Sequence, residues 1–295
     1  MTNDGLPDGG RRGQARMTNG AAWVSGFGLR TSSLALCIAS LFVLGGCGGT
    51  GMAPSNLRLE ADTDSTVKVI WSLPVDATPD KYLVYFRAVG ETSYSLVAET
   101  TANLWIHDPK GVTGWYRVEA DYGAETYAAG TTPGTVPVRT DTISLAELNA
   151  TGNAGFGWDR STGRGRTYSM TDVHSAGSVD FYITDFKPPN LNQPPYSVAS
   201  PDMGPSDPGN VVPTDSWRVS AFSDSQPDEN VLLPSFSPTA YFNFTDILNL
   251  PSSIGCFTAD SHYALVKVLA VDAEKHWVLL ETWYQLLPGL RLTRH

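Results

Sequence analysis

Hydrophobic positions along this chain come in short runs, and most of them alternate. In "TVKVIWSL" (Thr66 to Leu73), Val67, Val69 and Trp71 fall on one face, with Lys68, Ile70 and Ser72 on the other. Period-two alternation of this kind predicts a half-buried strand, because successive side chains of a strand point to opposite faces. The same pattern recurs in "KYLVYFRA" (Lys81 to Ala88), in "SYSLVAET" (Ser93 to Thr100), in "ANLWIHD" (Ala102 to Asp108) and in "GWYRVEADYG" (Gly114 to Gly123). In the first of these Tyr82, Val84 and Phe86 align, and in the last Tyr116, Val118 and Ala120. Adding "SNLRLEAD" in front and "ETYAAGTTP" behind gives seven predicted strands, with turn signals at the spacing of a two-sheet sandwich.

The second half reads differently. "HYALVKVLAV" (His262 to Val271) and "HWVLLETWYQLL" (His276 to Leu287) flank the turn "DAEK" and predict an antiparallel hairpin. Its faces are mixed. Leu265 and Leu269 share one with Lys267, and Val278, Leu280 and Tyr284 share one with Thr282, which predicts a sheet covered partly on both sides. Upstream, "GFGWDRSTGRG" leads into "AGSVDFYITDF". No long 3.6-residue periodicity occurs, and one short helix is predicted at "DTISLAELNA" (Asp141 to Ala150). From Lys187 to Asp215 the chain holds eight prolines in 29 residues. Missing backbone donors argue against a helix or a central strand there. The expectation is a solvated loop, the most mobile part of the chain after the N-terminal tether, with a binding lid as the alternative. "SDSQPDEN" (Ser223 to Asn230) reads as an acidic surface turn.

Composition agrees with strands and turns: 28 Gly, 20 Pro and 11% aromatic residues. The order "APSNLRLEAD", "VKVIWSLP", "YLVYFRA", "YRVEADYG" resembles the fibronectin type III family. Trp71 falls on that family's second-strand core tryptophan, and Tyr116, Val118 and Ala120 on its Tyr-x-Val-x-Ala sixth strand. The motif before the tyrosine is lengthened in "IHDPKGVTGWY", and no Arg-Gly-Asp occurs, so integrin-type adhesion has no support. The resemblance covers less than a third of the chain and implies a spacer or binding module. The expected fold class is therefore all-β: a fibronectin type III-like sandwich over residues 54–138, then a second β-rich domain over 140–295 carrying the long proline-rich loop.

At the N-terminus, "LALCIASLFVL" (Leu34 to Leu44) is uncharged, too short to span a membrane, and of the length of a signal-peptide apolar segment. Arg11, Arg12, Arg16 and Arg30 precede it, and Met17 is a second candidate start beside Met1. "LGGC" (Leu44 to Cys47) resembles the lipobox of bacterial lipoproteins. The resemblance implies cleavage between Gly46 and Cys47, removal of residues 1–46, acylation of Cys47 and a flexible tether over 47–53. Two or more acyl chains anchor stably where one does not. Gly48, rather than Asp, at the second mature position fits sorting to an outer membrane. The expected location is the bacterial cell envelope, with the membrane as partner through the N-terminal lipid.

Charge narrows the partners. The formal net charge is −10, and the segment before Cys47 is itself basic, so the remainder is more acidic still. That disfavours nucleic acid. Cys256 is the one thiol left besides Cys37 and Cys47, and it reads as a small buried hydrophobe. Sequence motifs for catalysis are absent: no Gly-x-Ser-x-Gly, His-Glu-x-x-His, Cys-x-x-Cys or phosphate-binding glycine loop. Asp172 and His174 would share a face if they lay on a strand, and Asp62, Thr63 and Asp64 offer oxygens without a calcium-loop pattern. No catalytic residue, metal ligand or cofactor is assigned. Aromatic side chains are the remaining signal. Tyr196 and Trp217, in or beside the proline-rich stretch, are the candidates for contact with a carbohydrate or protein ligand, against the plainer reading as core. The second domain also weakly resembles β-rich, haemophore-like secreted lipoproteins. That implies axial haem ligands, for which His174, His262 and His276 are available. The expected function is a non-enzymatic binding, adhesion or structural module, with an extracellular polysaccharide-active enzyme or a haem or small-ligand carrier as alternatives.

Overall fold

The computed structural model describes residues 52–227 and 232–293. The expectations at Gly46 and Cys47, the tether up to residue 51, and the end of the 223–230 turn lie outside these residues.

The chain is all-β. Strands β1 (Ser55–Ala61), β2 (Val67–Ser72), β3 (Lys81–Ala88), β4 (Ser95–Thr100), β5 (Leu104–His107), β6 (Gly114–Asp121) and β7 (Thr126–Ala128) fall where alternation predicts them. They form two antiparallel sheets, β1-β2-β5 and β4-β3-β6-β7. The inward alternates Val67, Val69, Trp71, Tyr82, Val84, Tyr116, Val118 and Ala120 make the core between them. Trp71 is 1% exposed and meets Tyr82 edge-on at 5.2 Å.

The second half of the chain adds β8 (Val138–Ala146), β9 (Gly155–Trp158), β10 (Gly165–Tyr168), β11 (Phe181–Thr184), β12 (Ser197–Ala199), β13 (Ala221–Phe222), β14 (Gln226–Pro227), β15 (Phe244–Asp246), β16 (Ser252–Phe257), β17 (Tyr263–Asp272) and β18 (Trp277–Tyr284). One sheet runs β10-β9-β11-β12-β15. The other runs β13-β16-β17-β18-β8, with β14 also on β16. Phe156, Phe181, Ile183 and Val198 of the first meet Ile254, Val266, Val268, Val278 and Leu280 of the second in one core. Cys256 is a buried free thiol in it, its ionisation pushed well up by burial. The hairpin β17–β18 is as predicted, and Leu233 and Tyr241 pack with Tyr263 and Leu265 on its second face.

Two expectations fail. The helix predicted at 141–150 is strand β8, paired with β18 from Val138↔Tyr284 to Trp277↔Ala146. Here period two prevails over local helix propensity. Ile143 and Leu145 face inward, and Thr142 and Ser144 outward. The proline-rich stretch also contains an interior strand. β12 lies between β11 and β15, and Tyr196 to Pro201 are all buried. The prolines flank this window rather than enter it: Pro194 and Pro195 precede it and Pro201 follows, so Ser197, Val198 and Ala199 keep their donors. The remainder is irregular, with short 3-10 helices at Pro189–Leu191 and Pro201–Ser206.

Past β18 the chain turns back to the first sandwich. Leu290 and Leu292, both fully buried, belong to that core. Gln285 Nε2 donates to Thr135 O at 2.9 Å and Leu292 O at 2.7 Å, and Arg291 pairs with Asp64 at 3.0 Å. Among the described residues no helix is long and apolar enough to cross a membrane.

Candidate functional site

Two groups of buried charge stand at different places in the second sandwich. The first gathers around Asp180, which is fully buried at the entry to β11. Its carboxylate accepts from the Trp158 backbone N–H at 2.9 Å and from Arg160 Nη1 at 2.9 Å and Nη2 at 2.5 Å, and Arg218 Nε lies at 3.1 Å. The same two guanidiniums reach Asp260, Arg160 through Nε and Arg218 through Nη2 at 2.9 Å. Burial raises the Asp260 pKa, but Thr258 Oγ1 and the two arginines prevail and hold it below the usual range. Two cations face two anions, and the group ties the β9–β10 turn, β11 and the β16–β17 turn together. A cleft of about 230 Å³ opens beside it, lined by Arg160, Arg166, Tyr168 and Arg218 among others. Arg160 and Arg218 are already engaged by the aspartates, and Arg166 is the lining cation that stands outside this ion-pair group.

The second group sits where β8 ends and the proline-rich segment packs. Leu145 and Ala146 are drawn into the core, and Glu147 follows them in, with no exposed surface. Its backbone N–H donates to His276 O at 2.8 Å. Its Oε2 accepts from the Asn149 N–H at 2.8 Å and from Asn192 Nδ2. Asp185 follows β11 and is 8% exposed. It accepts the backbone N–H groups of Lys187 at 2.8 Å and Gln193 at 2.7 Å, so it shapes the loop that carries Asn192. Asp207, also 8% exposed, accepts from Tyr182 Oη at 3.0 Å and Thr184 Oγ1 at 2.8 Å. Asn149 closes the loop further: its Nδ2 donates to Lys187 O at 3.1 Å, and its Oδ1 accepts the Asn210 N–H at 3.3 Å.

The electrostatics follow from burial without a counter-charge. Desolvation is the main reason the Glu147 pKa is pushed up to about 7; Asp185 and Asp207 add to it, while the backbone N–H groups of Asn149 and Asp185 work the other way. Tyr196 Oη lies 3.1 Å from His276 Nδ1. Its pKa is pushed up to about 12, by burial first and then by Glu147 and Asp185. A cleft of about 390 Å³ opens at Asn149, next to this group but not lined by its acids; Leu148, Ala150, Pro189, Pro208, Gly209 and Asn210 complete its wall. Gly209 permits a close approach: a Cβ there would stand 2.4 Å from Leu148 Cδ2, so the Leu148 side chain would have to shift. A perturbed acid beside a cleft, with polar groups converging on it, marks a candidate site.

The residues singled out from sequence distribute unevenly. Tyr196 belongs to this group, but its ring is 1% exposed and lies in the core, so it offers a hydroxyl rather than a ring face. Trp217 is 5% exposed, packs against Leu148 and Tyr182, and donates from Nε1 to Val212 O at 3.0 Å. Neither is the exposed platform expected, because the proline-rich segment folds over them. The three histidines engage separate partners: His174 is exposed, His262 Nδ1 meets Gln285 O at 2.7 Å, and His276 meets Tyr196. Asp172 and His174 do not share a strand face; Asp172 caps the 3-10 helix Val173–Ser178 through the His174 N–H. Among the described residues no three His, Cys, Asp or Glu side chains converge as a metal-ligand set. Glu147, Asp185 and Asn192 carry no sequence signal of their own beyond an acid inside the apolar run "ISLAEL".

No family model matches this chain, and no curated protein matches it. Among solved structures it is similar to one described as "Titin kinase and its flanking domains", at 7% identity and a TM-score of 0.27, over 81% of this chain and 38% of that one. The chain thus spans well under half of that structure, and a likeness this distant assigns neither fold nor function.

Proposed function

We propose that this chain is a lipid-anchored protein of the bacterial envelope, acting as a non-enzymatic binding module. The observation that carries the reading is the order of apolar run, small pair and cysteine in "SLFVLGGC". Acyl chains on Cys47 would hold two β-sandwiches near the membrane. Three-plus-four strand sheets with Trp71 and Tyr116 in the core support reading the first as fibronectin type III-like, a spacer. The second would present the cleft over Asn149 and Gly209 to a carbohydrate or protein ligand. Glu147, with no exposed surface, is placed too deep for a sugar ring to reach its carboxylate, which favours binding over glycoside hydrolysis.

Anchoring is the testable core of this reading. Labelled palmitate fed to expressing cells is expected to enter the wild-type chain and not the Cys47→Ala variant. Equal labelling of the two would overturn it.

A further inference from the structure

We propose that the group around Glu147 binds one hard divalent cation of the Ca²⁺ class, held by Glu147, Asn192 and Asp185 and completed by backbone oxygens and water.

Three observations lead there. First, charge is left over. Glu147, Asp185 and Asp207 are all buried, and the ion pair they make among the described residues is Lys187 Nζ to Asp185 Oδ2, at 3.8 Å and with a lysine side chain 40% exposed. Buried charges are ordinarily paired or bound to metal. The other group, around Asp180, obeys that rule with two arginines. Second, acceptors are left over. Glu147 Oε1 and Asn192 Oδ1 are both buried and make no hydrogen bond of full geometry, the Asp185 N–H that faces the Glu147 carboxylate being the nearest donor, and they belong to side chains already in contact through Asn192 Nδ2 and Glu147 Oε2. Two buried oxygens short of donors, on side chains that touch, are what a cation would satisfy and what a further hydrogen-bond acceptor would not. Third, the donors are all oxygen. Hard cations take carboxylate, amide and carbonyl oxygens at flexible coordination numbers, whereas zinc or copper would select His or Cys. His276 Nδ1 is engaged by Tyr196. The backbone N–H groups of Lys187 and Gln193 fix the Asp185 carboxylate, and Asn149 fixes the loop, so the support for the ligands is already built.

The inference does not depend on lipid anchoring and fails or stands separately from it. The test is calorimetric titration of CaCl₂ into the full chain, previously stripped with chelator, beside the variants Glu147→Gln, Asn192→Ala and Asp141→Asn. Asp141 is an exposed acid outside the group and controls for loose binding to the acidic surface. The expected result is one Ca²⁺ per chain, affinity lowered at least tenfold in Glu147→Gln and in Asn192→Ala, unchanged affinity in Asp141→Asn, and weaker binding of Mg²⁺. Should Glu147→Gln not fold, Asn192→Ala carries the comparison. No Ca²⁺ binding by the wild type would overturn the proposal, and so would binding equally strong in all the variants. A proton on Glu147 would then be what neutralises the group.

Discussion

The two buried charge groups of the second sandwich solve the same problem in opposite ways. Around Asp180, each carboxylate meets guanidinium, and the group is internally neutral. Around Glu147, carboxylates meet backbone N–H groups, hydroxyls and amides, and Glu147 responds with a pKa near neutrality. A neutral, saturated group is a joint. A group with residual charge and residual acceptors has capacity for something further, and that difference decides which of them is the better candidate for function.

The comparison breaks most easily at the joint. Asp180→Ala leaves Arg160 and Arg218 partly buried, with Asp260 as their remaining anion and the Trp158 N–H without its acceptor. Removing one partner of a buried charge network costs about 3–5 kcal/mol. The low end is expected, because the arginine side chains keep 28% and 19% of their exposure. Urea unfolding of the full chain measures it. A loss under about 1 kcal/mol would mean that the arginines relax into solvent and that the group is not a joint.

The second difference is in pH dependence, and its sign is fixed by direction. Glu147 has a folded pKa of about 7 against an ordinary value of 4.5, so the folded state holds the proton more tightly. Its contribution is fully favourable below the unfolded value and is lost as pH rises through about 7. In chelator, stability is expected to fall by on the order of 2–3 kcal/mol between about pH 4.5 and pH 7, and to level off above. Glu147→Gln is expected to remove that fall. Thermal unfolding at several pH values, wild type against variant, reads it; parallel curves would show that Glu147 is solvated and ordinary. With saturating Ca²⁺ the wild-type fall is expected to shrink, since the cation stabilises the carboxylate form.

How far the sequence carried this picture differs between the same regions. Strands with a dry face and a wet face were legible: "VKVIWS" and "YRVEAD" alternate because one side meets the core and the other water. Strands covered on both sides were harder. "FYIT" and "SVA" are buried at every position, so they show no alternation, and β12 was hidden among flanking prolines. "TDTISLAEL" carries period two, but Leu, Ala and Glu also suit a helix, and only pairing with β18 decides. Both charge groups were illegible for a different reason. Arg160, Asp180, Arg218 and Asp260 are distant in sequence, as Glu147 is from Asp185 and Asn192, and single residues of ordinary type carry no signal until the sheets bring them together. Leu290 and Leu292 were invisible as members of the first core because a short apolar tail does not say which core it joins.

The smallest expected effect sharpens the comparison most. Lys187 is the cation of the ion pair in the Glu147 group, and its Nζ also donates to Gln193 O at 3.0 Å. If it neutralised the group as the arginines neutralise theirs, the two groups would be alike and the surplus charge would vanish. Geometry argues against that. The pair spans 3.8 Å and the lysine side chain is 40% exposed, so water screens it. An ammonium is also a point charge, without the fork by which Arg160 grips Asp180 at two oxygens. Lys187→Ala is therefore expected to cost no more than about 0.5–1 kcal/mol in urea unfolding, and to leave the pH fall governed by Glu147 in place. A loss above about 2 kcal/mol, together with a steeper fall toward neutral pH, would identify Lys187 as the missing counter-charge. The Glu147 group would then be a second joint, and the reason for expecting a cation there would be gone.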